Sequence, residues 1–182
     1  MARTNAQNAS QYAAAAVRRI GRVVIAFGLL ALAPIAGAGE LSILINGWAK
    51  HLDERQGVKF NERNWGGGFQ YDYEPVNEHW IPFVNASGFK DSDRNMSYYA
   101  GGGVMRRFKV APELDNLYVD AGVIAFVMTR KNYKDNDPFL GALPAFSIGT
   151  DHVAVNITYV PKVDPKSVPL WFFQFKVPFS TY

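Results

Sequence analysis

The side chains that could do chemistry in this chain are few: three histidines, no cysteine, and a serine set in an acidic turn. His51 stands just before Asp53-Glu54, and Ser92 lies within Asp91-Ser92-Asp93-Arg94-Asn95. Histidine titrates near neutrality, so His51 can take a proton from a hydroxyl, either that of Ser92 or one on a substrate, as nucleophilic catalysis requires. The plainer reading of the same residues is a solvated histidine at a strand end and a serine that only makes a turn. No pair among His51, His79 and His152 has metal-ligand spacing, and the lack of cysteine excludes thiol catalysis and thiolate metal sites. Asp91 to Asn95 begins like a calcium loop, but Met96 stands where that loop needs glycine and Gly102 where it needs glutamate. There is no Gly-x-Ser-x-Gly elbow and no phosphate-binding glycine loop. No metal and no cofactor is expected.

The elements that must position these residues are strands. Residues 1–38 read as an export signal, with Arg18, Arg19 and Arg22 before an apolar run from Val23 to Ile35 and the small residues Ala36-Gly37-Ala38 at the cleavage point. The run is too short for a comfortable membrane-spanning helix, which needs about 20 residues; a retained anchor is the competing reading. The formal charge of +3 belongs to this segment, whose four arginines face no acid, so the remainder carries one more acidic than basic residue. A nucleic-acid partner has no support. Residues 39–182 suffice for a single domain, and they hold short alternating runs rather than helical periodicity. Eight strands are expected at 42–52, 64–74, 79–90, 96–108, 116–129, 140–149, 152–160 and 169–179.

An even number of strands, each long enough to supply the roughly 9–11 residues a tilted strand needs, suits an antiparallel β-barrel that crosses a bilayer. In the stretch Phe60 to Tyr73, Trp65, Phe69, Tyr71 and Tyr73 oppose Gln70 and Asp72, while Gly66-Gly67-Gly68 mark a bulge or a close approach to the backbone. Near the C-terminus Phe175 and Val177 face outward, which turns Lys176 into the barrel, because a lysine on the lipid face is costly. Aromatic residues make up 14% of the chain and several lie near strand ends, where an interfacial girdle would use them. A soluble, lipocalin-like barrel has much the same pattern and stays open on these grounds. In an up-and-down barrel the turns after the first and third strands open at one rim, so His51, Asp91 and Ser92 can converge there.

Three blocks, in this order and spacing, resemble the PagP family of lipid A palmitoyltransferases: Phe60-Asn61-Glu62-Arg63-Asn64-Trp65-Gly66-Gly67-Gly68-Phe69; Gly88-Phe89-Lys90-Asp91-Ser92 with Ala100-Gly101-Gly102-Gly103; and Pro138 to Pro161. The resemblance implies an all-β, eight-stranded outer-membrane barrel that moves a palmitoyl chain from a glycerophospholipid donor to a lipid A acceptor, without metal or nucleotide. It places Asp91 and Ser92 on the family's acidic and serine site positions, and Gly103 on the small residue at the acyl-pocket floor. Pro144 falls in the segment where the strands part to admit lipid. Gly47, not a histidine, aligns with the family's catalytic histidine; the Gly-x-x-x-His run resembles a divergent branch in which His51 takes that role. The chain also lacks the N-terminal amphipathic helix of the better-known branch. On this reading His51 is general base, Asp91 orients or charges the site, and Ser92 binds or activates the ester, in a monomer surrounded by outer-membrane lipid. The alternatives are a lipid A deacylase or outer-membrane phospholipase, which would use the same groups with water as acceptor, and a non-catalytic lipid-binding barrel.

Overall fold

Alternation of apolar and polar residues puts one side of every strand in a common interior, and closing the sheet on itself pairs its first strand with its last. The computed structural model describes residues 39–54, 57–163 and 167–179; the expected export signal at 1–38 lies outside them. The strands are β1 Gly39–His51, β2 Arg63–Tyr73, β3 Trp80–Lys90, β4 Met96–Ala111, β5 Leu117–Thr129, β6 Phe139–Gly149, β7 Ala154–Val160 and β8 Leu170–Phe179. They close as an antiparallel barrel in sequence order, β1 pairing with β8. All eight expected strands are present, and every boundary agrees to within three residues.

The exterior is apolar: Leu41, Ile45, Trp65, Phe69 and Val123 are exposed, and Leu140 is 84% exposed. Such a surface belongs against hydrocarbon. The interior is layered. At the end where β1 begins, Lys176 Nζ lies 2.7 Å from Asp72 Oδ2, and Arg107 donates a two-pronged pair of bonds to Asp120 at 3.0 and 2.9 Å. Lys176 therefore points inward, as its flanking residues require, and is almost wholly buried. Next comes an apolar layer of Phe83, Met105, Ile124 and Ala145, with Tyr99, Phe126 and Leu143 packed on it.

An eight-stranded barrel is just wide enough to be filled by its own side chains, so a large ring needs a small neighbour. Gly66 is the ladder partner of Phe89, Gly101 of Phe126, and Gly103 of Phe83. A Cβ at Gly103 would lie 2.9 Å from two Phe83 ring carbons and overlap the Val123 carbonyl oxygen. The space that glycine leaves at position 103 is thus taken by the Phe83 ring. The Gly66–Gly68 run is a site of close approach: side chains at Gly66 and Gly68 would collide with the β3 backbone.

Candidate active site

Gly66–Gly68 keep a regular ladder with both neighbouring strands, and the register breaks just before them, where β2 faces Gly47 of β1. The register shifts by one between Asn46 and Trp48 on both sides of β1, in opposite senses: against β8 Gly47 is the extra residue, whereas against β2 Gly47 alone faces two residues, Asn64 and Trp65. Up to Asn46 the even-numbered residues Ser42, Leu44 and Asn46 are buried; beyond the bulge Ala49 is buried and Lys50 exposed. Bulges re-aim side chains in this way. Simple alternation from Leu44 would send His51 outward, whereas its side chain is only 6% exposed.

His51 Nε2 lies 3.0 Å from Ser92 Oγ. Two loops from different hairpins meet here, and the segment Phe60–Asn64 joins them. The Phe60 ring stacks on the imidazole with centroids 4.3 Å apart and planes 10° from parallel. Asn61 binds the β3–β4 turn twice, its backbone N–H donating to the Ser92 carbonyl at 2.8 Å and its Nδ2 to the Asp91 carbonyl at 3.0 Å. Asn64 Nδ2 donates to the Lys90 carbonyl at 2.8 Å. The strand ladder between β2 and β3 ends at Gly66–Phe89, so these bonds continue it up to the rim.

Asp91 is 2% exposed and does not reach His51 through any hydrogen bond recorded among the described residues. Its Oδ1 accepts the N–H groups of Asp93 and Asn95, both at 2.9 Å, and its Oδ2 accepts the Ser97 hydroxyl at 2.9 Å. Arg130, just beyond β5, places Nε 3.7 Å from Asp91 Oδ2 and a terminal nitrogen 3.3 Å from Asp93 Oδ2. Asp91 thereby shapes the turn that presents Ser92. The carboxylate beside the histidine is that of Glu62, whose Oε1 stands 3.8 Å from His51 Nδ1 and 3.6 Å from Lys50 Nζ.

Gly103 faces the interior far below this rim, in register with Phe83. Pro144 lies on the outside of β6, and β6 pairs with β7 only from Ala145 to Gly149. Above Pro144 the β6 edge, still paired with β5, has no ladder to β7. Proline has no N–H to give such a ladder, so it suits the point where two strands part. His51 and Ser92 are brought together; Asp91 adjoins them, and Gly103 and Pro144 lie elsewhere on the barrel. Phe60, Asn61, Glu62, Asn64 and Arg130 were not expected at the site, although the first four sit in one of the blocks that carried the family resemblance.

A profile of the family described as "Antimicrobial peptide resistance and lipid A acylation protein PagP" matches residues 34–175, which include every strand but the end of β8. The chain belongs to the PagP family. The chain is 32% identical over 109 residues to the lipid A acyltransferase PagP of Citrobacter rodentium, a match covering 60% of this chain and 55% of that protein. It is 30% identical over 109 residues to the lipid A palmitoyltransferase PagP of Escherichia coli K12, covering 60% and 57%. Against the lipid A acyltransferase PagP of Legionella longbeachae it is 27% identical over 129 residues, covering 68% and 54%. The chain thus spans little more than half the length of the curated relatives it matches. Among solved structures, the Yersinia pestis outer membrane protein Ail superposes with a TM-score of 0.43 at 16% identity, over 78% of this chain and 100% of that one. With its apolar exterior and closed sheet, this PagP-family barrel is an outer-membrane protein.

Proposed function

We propose that this PagP-family barrel is an acyltransferase that moves a long saturated acyl chain, such as palmitoyl, from a glycerophospholipid to a hydroxyl of lipid A. The observation that carries the reading is the 3.0 Å approach of His51 Nε2 to Ser92 Oγ at one rim of the barrel. Ser92 Oγ attacks the ester carbonyl while its proton passes to His51 Nε2, and the lysophospholipid leaves with that proton. The lipid A hydroxyl then attacks the acyl-serine, gives its proton to the same nitrogen, and Ser92 recovers it. Asp91 and Asn61 hold the turn that carries Ser92. The gap in the β6–β7 ladder above Pro144 is a way in for lipid from the side. The apolar layer at Phe83 and Met105 is the depth at which the acyl chain stops, since the charged pairs below it repel hydrocarbon.

The test is product analysis with the purified, refolded protein, a phospholipid with a labelled acyl chain, and lipid A. Labelled lipid A together with lysophospholipid is the expected result. Free fatty acid in place of labelled lipid A would replace this reading with the hydrolase, and turnover at the uncatalysed rate would replace it with the lipid-binding barrel.

A further inference from the structure

The His51 ring has one edge satisfied and one that is not. Nε2 meets Ser92, while Nδ1 is buried without a hydrogen-bond partner among the described residues. A buried ring nitrogen left in this state carries a cost and marks a place where a partner belongs. Asp91 does not supply one: its oxygens are turned to the N–H groups of Asp93 and Asn95 and to the Ser97 hydroxyl. Glu62 can. Its side chain is 46% exposed, and among the described residues its carboxylate approaches only Lys50, at 3.6 Å, and His51 itself, so it has room to move. A movement of about 1 Å brings Oε1 from 3.8 Å to hydrogen-bonding distance of Nδ1. Phe60 already fixes the plane of the ring, so that small movement completes the geometry.

We infer that Glu62 is the positioning carboxylate of His51, accepting its Nδ1–H so that Nε2 presents its lone pair to the Ser92 hydroxyl. This deepens the acyl-transfer reading and, as a catalytic role, rests on it. An imidazole whose Nδ1–H is held by a carboxylate is kept in the one tautomer whose other nitrogen can act as base, and the imidazolium that forms is stabilised. Lys50, on the outward side of β1, shares the same Glu62 oxygen. A lipid phosphate that draws Lys50 away would release Glu62 to the histidine.

The experiment pairs kinetics with nitrogen NMR of the refolded full chain labelled at histidine, the His51 signals being assigned by their loss in His51→Gln. Glu62→Gln should lower kcat about tenfold or more with KM little changed. Formate should restore part of the activity of Glu62→Ala, which a purely structural role for Glu62 would not allow. Wild-type kcat in Glu62→Gln, or a loss confined to KM, would overturn the proposal. The spectra decide independently of turnover: the wild type should hold His51 as the Nδ1–H tautomer and Glu62→Gln should lose that preference. An Nε2–H tautomer in the wild type would overturn the proposal with no variant needed. If the wild type transfers no acyl chain but the tautomer shifts as stated, the acyltransferase reading falls and the Glu62 contact stands.

Discussion

Asp91 and Ser92 are neighbours in sequence with different tasks. The serine hydroxyl faces the histidine, whereas the aspartate is turned back to receive two backbone N–H groups and the Ser97 hydroxyl. In Asp91→Asn one carboxylate oxygen becomes an NH₂ group that no longer accepts from Ser97. Leaving that buried hydroxyl without its acceptor should cost about 1–3 kcal/mol of stability. Denaturant unfolding in detergent checks the loss, and turnover should fall with it because Ser92 is displaced. A drop in turnover as deep as that of His51→Ala at unchanged stability would mean that Asp91 acts on the reaction itself. The meeting of His51 with Ser92 was legible from the turn order of an up-and-down barrel. Which way Asp91 points was not, because an Asp-Ser-Asp turn can present either side chain and only Ser97, Asn95 and Arg130 decide between them.

The element on which the site depends is the bulge at Gly47. Strand positions, inward Lys176 and outward Phe175 could all be read from alternation, but alternation counts residues and cannot see one that is left out of the ladder. Gly47, which the family resemblance sets opposite a histidine, is the residue left out of the ladder with β8, and the four that follow it re-enter that ladder with their faces exchanged. His51 thus comes inside and Lys50 goes out. The double variant Lys50→His/His51→Ala should therefore fold and insert but stay inactive, its imidazole now facing lipid. Activity above that of His51→Ala alone, in the labelled-lipid assay, would show that position 50 reaches the site and that the bulge does not set the face. The Phe60–Asn64 block hid its role for a related reason. Its polar residues suit any turn, and the carbonyls they bind, those of Lys90, Asp91 and Ser92, belong to another hairpin.

On the scale of the whole molecule the barrel brings His51 and Ser92 together at one end and packs charged pairs inside the other. The pairs are Lys176 with Asp72 and Arg107 with Asp120, and Gln70 also donates to Asp72 at 2.7 Å. Removing one partner of such a pair leaves a buried charge unpaired, so Lys176→Met should cost about 3–5 kcal/mol. Adding Asp72→Val should recover most of the loss, and denaturant midpoints of the two proteins give the comparison. The central claim concerns the other end, where His51 and Ser92 meet. The most direct test is mass spectrometry of lipid A from a Gram-negative host lacking its own PagP, expressing either this chain or its His51→Ala variant at equal levels in the outer membrane. One added palmitoyl group with the wild type and none with the variant is the result this account predicts; the same added group with both, or lipid A that loses a chain, would contradict it.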